Sequence, residues 1–524
     1  MRTVTNAGWN VGALAVSMAV LFVATPITVR LLGTDRYGLW ALLTAVLAPL
    51  TVANLGVGQA TVKLVAEEIG AGRPDQAGPY IRTSALYSIA IGLGGWLVLV
   101  LLSGTIVERV FRIAPQDYGL AARCVVWVGA TWALSQAASV YAAVPAALQR
   151  YSLVSAGSTA NVVATAVVGV TVLSLGGDLV AFLQSQAAVQ ALALAFWVTL
   201  ARRLMPSLSV VPGWHTSAFR RTLDFGIWQT ISNGLGIVAG QADKYVLGVM
   251  LPTAAVGLYN IAQTLQVRAY LLVWKMAEVL FPAFSHMQGE GDRTRESRAL
   301  LRATWLLSTL SVLVLGPLVV WAHDFLRLWM GADVAAGASG VLRVLALAGV
   351  IGSSVNASYF YLLGTGRTRW VAAMSLVNTI GVVCGSIALV PRLGLAGAGW
   401  GVLAGSLAQV VVTTVAWSRI FRGEVSLRSQ LATFYGPVVV GALVAEALTQ
   451  LRLAVVLEVG WARLLAGVAA SDIVLAVCVV GSSWLLLSRD QRQEDVAWAT
   501  SLLRSALARL TRRSGKAPSN RGLR

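Results

Sequence analysis

Apolar residues fill this chain in long, closely spaced blocks. About fourteen blocks stand out, at approximately 10–30, 38–60, 83–107, 121–147, 156–176, 179–200, 226–250, 257–282, 303–322, 340–363, 370–391, 395–417, 433–450 and 463–487. Each is roughly 18–25 residues long, the length a helix needs to cross a ~30 Å hydrocarbon core. The joints between blocks are short, which leaves almost no mass outside a bilayer. The pattern predicts an all-α polytopic membrane protein with about fourteen transmembrane helices.

Composition agrees: of 524 residues, 57% are apolar and 12% charged, about half the charged fraction of a soluble domain. The first block follows Arg2 and could be mistaken for a signal peptide. Its apolar core is longer than a usual h-region and no small-x-small cleavage site follows, so it reads as an uncleaved first span. The net charge of +18 would suggest nucleic acid in a soluble protein. Here most of the 40 Lys and Arg fall in alternate joints and the tail, among them Lys63, Arg73, Arg82, Arg150, Arg202, Arg203, Arg220, Arg221, Arg293, Arg295, Arg367 and Arg419. That is a topology signal: the basic joints and both termini face the cytoplasm, as an even number of spans requires. No nucleic-acid partner is expected. Cys124, Cys384 and Cys478 sit in apolar blocks without metal spacing, and His215, His286 and His323 are isolated. Neither a metal nor a cofactor is expected.

The chain also repeats itself. Near the end of the first block it reads "VRLLGTDRYGLWALL", with Arg30, Gly33, Gly38 and Trp40; near the end of the seventh it reads "KYVLGVMLPTAAVGLYNIA", with Lys244, Gly248, Gly257 and Tyr259. Further on, Arg150, Ser158 and Asn161 match Arg367, Ser375 and Asn378 at nearly the same offset. Each copy holds six spans, an even number, so the copies share one orientation and relate by an axis along the membrane normal. The organisation expected is a first lobe over 1–200, a cytoplasmic linker over 201–225, a second lobe over 226–417, two extra spans over 433–487 and a basic tail over 488–524. Two parallel six-helix lobes would enclose a central cavity. In the tail, Val496, Trp498, Leu502, Leu503, Leu507 and Leu510 set against Arg504, Arg509, Arg512 and Arg513 predict an amphipathic helix on the anionic membrane surface.

Four stretches carry a resemblance: "RLLGTDRYGLWALL" (30–43), "NLGVGQATVKLVAE" (54–67), "DKYVLG" (243–248) with "VGLYNIA" (256–262), and "LFPAFSHMQGEGDRTR" (280–295). Together they resemble the Wzx-type polysaccharide flippases of the multidrug/oligosaccharidyl-lipid/polysaccharide (MOP) exporter superfamily, over about residues 1–420. The resemblance implies the MATE-like fold with two six-span lobes, and a carrier that moves a polyprenyl-diphosphate-linked sugar from the inner to the outer leaflet. The second span has Asn54 where relatives often carry an acid, which leaves any role for that position open.

Charges inside apolar blocks are the candidate chemistry, because each costs about 3 kcal/mol at the bilayer centre on insertion scales. Arg268 lies roughly 16 Å into the eighth span, with Lys275 about 20° further round the same face and Thr264 one turn before it. The functional reading is a cationic wall for a diphosphate, for which the planar guanidinium fork is suited. The plainer reading pairs Lys275 with Glu278 one turn on. Asp243 and Lys244, counted from Phe225, fall near the outer end of the seventh span, where Arg30 stands in the first copy. They either snorkel to the headgroups, or Arg30 and Lys244 line the outer mouth of the cavity. Asp243 would then be a latch between lobes or an ion-coupling group, and Glu278 a second candidate acid. Glu446 and Asp472, in the two extra spans, read as helix–helix contacts before ion sites.

The expected function is a flippase for undecaprenyl-diphosphate-linked oligosaccharides in the bacterial inner membrane. Its partners would be that lipid-linked substrate, membrane lipids and a polysaccharide polymerase or co-polymerase. A lipid II flippase is a near variant, and a cation-coupled drug antiporter a second transporter reading, disfavoured because a cationic drug needs carboxylates. A membrane enzyme of polysaccharide assembly would need paired acids, a metal motif or a large loop. The longest internal loop, about 201–225, has none of these.

Overall fold

A backbone surrounded by hydrocarbon must satisfy its own hydrogen bonds, and helices do so within a single segment. The computed structural model accordingly contains helices and no strands among its described residues, which are 2–111, 113–206, 211–224, 240–290, 293–421, 435–454 and 460–486. The expected amphipathic tail at 488–524 and the first part of the seventh span, 226–239, lie outside them. The first lobe comprises α1 (Arg2–Ala45), α2 (Leu47–Val52), α3 (Val57–Gly70), α4 (Ala77–Thr105), α5 (Tyr118–Ala147), α6 (Tyr151–Ser174) and α7 (Leu179–Leu204). A helical segment, α8 (216–224), follows in the linker. The second lobe comprises α9 (Ala242–Met250), α10 (Thr253–Glu278), α11 (Leu280–Glu290), α12 (Arg293–Val320), α13 (Ala322–Met330), α14 (Ala332–Ser353), α15 (Asn356–Gly364), α16 (Thr368–Leu393) and α17 (Leu395–Ile420). Two further helices, α18 (Gly436–Ala454) and α19 (Trp461–Leu486), pack on α12.

Nine stretches among the described residues are long and apolar enough to cross a membrane, the longest being Ala15–Val52. That stretch is two spans: Gly33, at φ 79° and ψ 161°, breaks α1 where the sequence predicts a joint. The helix that carries Arg268 and Lys275, α10, is too polar to be among the nine.

Two spans expected to be continuous are interrupted. The second span runs as helix through Val52 and resumes at Val57, with Leu55 at φ 48° and Gly56 at φ 62° between. Leu55 is a residue with a Cβ held in the left-handed region, at a cost of about 1–2 kcal/mol. The tenth span breaks between Ser353 and Asn356. A short helix, α13, also caps one face where the sequence shows only a joint.

Apolar packing gives the molecule its V shape. The end of the bundle bearing the turns at 71–76, 148–150 and 365–367 is called the basic face, and the other the opposite face. Near the opposite face one core is shared by both lobes, joining Val29, Leu32, Tyr37 and Leu42 to Leu247, Val256, Tyr259 and Val334. Towards the basic face each lobe has its own core, around Leu64, Ile81 and Trp197 in the first and around Val273, Phe284 and Trp417 in the second. The lobes therefore meet at one end and part at the other.

At the junction the matched glycines of the two repeats touch. A Cβ on Gly38 would lie 1.8 Å from the Thr253 carbonyl oxygen and 2.7 Å from the Gly257 nitrogen; one on Gly257 would lie 2.4 Å from the Thr34 oxygen. Small residues let helix backbones approach this closely in membranes. Equivalent residues in contact place the pseudo-twofold axis between them. Around the crossing, Asn260 Nδ2 donates to the Tyr37 hydroxyl at 3.1 Å, the Tyr245 hydroxyl donates to the Ala45 carbonyl at 2.6 Å, and Trp329 Nε1 donates to the Phe22 carbonyl at 2.9 Å.

Overpacking such a contact costs ~1–3 kcal/mol, so Gly257→Val should lower the yield of a Tyr37→Cys/Asn260→Cys cross-link about tenfold. The same change at Gly12, which has open space around it, should leave the yield unchanged.

Candidate substrate cleft

The α10 helix forms one arm of the V, and its angular positions decide what it shows to the other arm. With 100° per residue, Thr264, Arg268 and Lys275 all lie within about 20° of Gly257. Gly257 touches the first lobe, so the same stripe faces the first lobe further down, where the two cores have separated. Arg268 is half-buried and Lys275 exposed there. The opposite side of α10 packs into the second lobe, where the Tyr270 hydroxyl donates to Asn356 Oδ1 at 2.8 Å. Arg268 forms no ion pair among the described residues and sits about 15 Å from the helix end at Glu278. It is a half-buried cation at mid-depth of its helix, on the same stripe as Gly257.

Lys275 is held by Glu278 at 2.6 Å, an i,i+3 pair with both side chains about half exposed. The plainer reading of this pair is thus realised. Among the described residues Glu278 is engaged on its own helix, with Lys275.

Asp243 and Lys244 also need correction. Asp243 lies about 10 Å short of the end of α9 at Met250, too deep to snorkel, and is 3% exposed. Its carboxylate accepts from the Tyr259 hydroxyl, from Gln263 Nε2 at 2.6 Å and from the Lys244 backbone N–H at 2.8 Å. Tyr259 and Gln263 are one turn apart on α10, so Asp243 staples α9 to α10 inside the second lobe and is no latch between lobes. Lys244 is 9% exposed beside it and does not line an outer mouth. Arg30, by contrast, is exposed near the opposite-face end of the first span, without an ion pair among the described residues.

In the extra helices, Glu446 pairs with Arg343 of α14 at 3.1 Å, the helix–helix contact expected of it. Asp472 makes no such contact among the described residues. It lines a cavity of about 310 Å³ walled by Pro317, Trp321, Phe325, Trp461 and Leu465, while its neighbour Ser471 accepts from Trp321 Nε1 at 3.1 Å.

Sequence reasoning missed the interruption in the second span, the other arm of the V. From Gly38 the first-lobe stripe continues through Ala45, Pro49 and Ala53, and Pro49 and Ala53 are exposed. The chain then leaves helical geometry, with Asn54 Nδ2 donating to Gln136 Oε1 at 2.6 Å and the Tyr87 hydroxyl donating to the Ala53 carbonyl at 3.0 Å. The signal available was "NLGVG", a polar residue and two glycines in mid-block.

Removing Asp243 orphans the buried Tyr259 hydroxyl, at about 1–3 kcal/mol, and the part-buried Gln263 amide, whereas the exposed Lys275–Glu278 pair is worth at most ~1 kcal/mol. Thermal unfolding in detergent should therefore show a clear fall in Tm for Asp243→Ala and almost none for Glu278→Ala.

Comparison with known proteins places this geometry. The family profile described as polysaccharide biosynthesis protein matches residues 3–288, more than half of the chain. A curated protein of Shigella flexneri named "Putative O-antigen transporter" is 19% identical over 402 residues, covering 76% of this chain and 93% of its own length. The solved structure of the lipid II flippase MurJ in an inward closed conformation superposes with a TM-score of 0.68 at 12% identity, over 92% of this chain and 99% of that one. An inward-facing multidrug resistance MATE family transporter of the MOP superfamily gives 0.63 at 16% identity, over 78% and 97%. The two-lobed helical bundle is the fold these transporters share. The chain is a multi-pass membrane protein with the fold of these transporters, and it belongs to the polysaccharide biosynthesis protein family.

Proposed function

We propose that the protein is a flippase that carries an undecaprenyl-diphosphate-linked oligosaccharide from the inner to the outer leaflet of a bacterial inner membrane. The observation that carries this reading is the α10 stripe. Its Gly257 end is sealed against the first lobe, and its Arg268, half-buried at mid-depth, has no ion pair among the described residues. An unpaired guanidinium at that depth calls for an anionic ligand, and its planar fork can bond two phosphate oxygens at once. The positive-inside rule supports placing the basic face in the cytoplasm, which makes the conformation inward-open. The diphosphate would enter from that side and pair with Arg268, while the prenyl tail stays in lipid through the lateral gap between the arms. Closing the basic ends and parting the Gly38–Gly257 crossing would present the headgroup outside, a rocking of two repeats about a fixed site. A polysaccharide polymerase would receive the exported unit. A cation-coupled drug antiporter gains nothing from this geometry: Asp243 is saturated with donors inside the second lobe, and the cleft stripe is basic.

The test is headgroup translocation in proteoliposomes with a fluorescent undecaprenyl-diphosphate sugar. A lost charge-assisted contact is worth about 1.5–3 kcal/mol, so Arg268→Ala should slow transport at least roughly tenfold while membrane insertion stays normal. Lys275→Ala, whose charge is already neutralised by Glu278, should slow it less than about threefold. An Arg268→Ala protein with the wild-type rate would overturn the proposal.

A further inference from the structure

The cleft has two unlike arms at one height. On α10, Arg268 lies about 15 Å from the basic end of its helix. The interruption of the second span is bracketed by Tyr87, about 15 Å from the start of α4, and by Gln136, about 16 Å from the end of α5. The repeat offset that pairs Gly38 with Gly257 pairs Arg268 with Pro49, so the interruption follows directly on the position symmetric to the cation.

Irregular backbone at mid-membrane persists only where it is buried in protein or lines a wet cavity. Pro49 and Ala53 are exposed and lie on the Gly38 side of the span, which turns this stretch towards α10. Its polar groups are only partly used. Asn54 Oδ1 is buried with no partner among the described residues. Gln136, 7% exposed, accepts from Asn54 through Oε1, and its Nε2 has no partner among the described residues. The α3 helix begins here, so the N–H groups of Gly58 and Gln59 have no helical acceptor. The Gln59 side chain is exposed.

The mixture of groups selects the ligand. A phosphate needs donors alone and would meet the unpaired Asn54 oxygen. A metal ion needs acceptors alone and would meet amide N–H groups, a helix N-terminus and Arg268 across the cleft. Neutral donors and acceptors interleaved at close range suit hydroxyl groups, which are both at once.

We propose that the interrupted second span, from Ala53 to Gln59 with Gln136 behind it, is a sugar-binding site that takes the hydroxyls of the saccharide while Arg268 takes its diphosphate. This inference rests on the flippase reading and adds a division of labour to it: the second lobe binds charge and the first lobe reads the sugar. Selectivity among saccharides then resides in the first lobe.

The experiment compares two substrates in proteoliposomes, an undecaprenyl-diphosphate oligosaccharide and undecaprenyl diphosphate without sugar. Asn54→Ala and Gln59→Ala should each slow the sugar-bearing lipid at least about threefold and leave the sugar-free lipid within about twofold of wild type; Arg268→Ala should slow both. Gln59→Ala removes an exposed side chain, so it tests the site even if Asn54→Ala folds poorly, and melting curves identify that case. Parallel loss on both lipids, or no loss on either, in Gln59→Ala and in a folded Asn54→Ala would overturn the sugar site and leave the flippase reading standing. A wild-type protein that moves neither lipid would overturn the flippase reading, and the sugar site with it.

Discussion

Two helix starts, one from each repeat, cross with no side chain between them. At Gly38 and Gly257 the backbones lie so close that a methyl group on either would overlap a carbonyl oxygen of the other helix. Without a hydrophobic effect between helices in lipid, such contacts rely on close packing and on hydrogen bonds around them. Here the bonds are those of Tyr37, Asn260 and Tyr245. The crossing fixes the apex of the V and the axis that relates the lobes. It also fixes which faces of α10 and of the second span look at each other below the apex.

The rest of the site follows from that constraint. Because Gly257 faces the first lobe, helical periodicity makes Thr264, Arg268 and Lys275 face it too. Because Gly38 faces the second lobe, Pro49, Ala53 and the interruption after them face back. The two repeats then diverge in chemistry: one arm keeps a regular helix with cations, the other breaks its helix and exposes neutral polar groups. In the proposed mechanism this asymmetry suits a ligand with one charged and one uncharged polar end.

Much of this was legible in the chain. Block lengths gave the helices, and the "GLW" and "GLY" copies marked Gly38 and Gly257 as equivalent, though a repeat does not say that its copies touch. The depth and face of Arg268 came from counting along one helix, as did the Lys275–Glu278 pair. Asp243 could not be read this way. Its partners Tyr259 and Gln263 belong to the next helix, across the turn at 251–252, and a count along the seventh span alone suggested an exposed end. The break after Ala53 was hidden for a related reason. Glycines are common in membrane helices, and only the packing of Gln136 and Tyr87 shows that the backbone there has left helical geometry.

The claim that all else depends on is that the α10 stripe faces water between the lobes and opens to the cytoplasm. Thr264, half-buried one turn above Arg268, reports on it without removing a charge. With Cys124, Cys384 and Cys478 replaced, Thr264→Cys should react with a membrane-impermeant maleimide in inside-out vesicles, be protected there by a lipid-linked oligosaccharide, and stay unreactive in right-side-out vesicles. Reaction from the outside alone, or none from either side, would contradict the account.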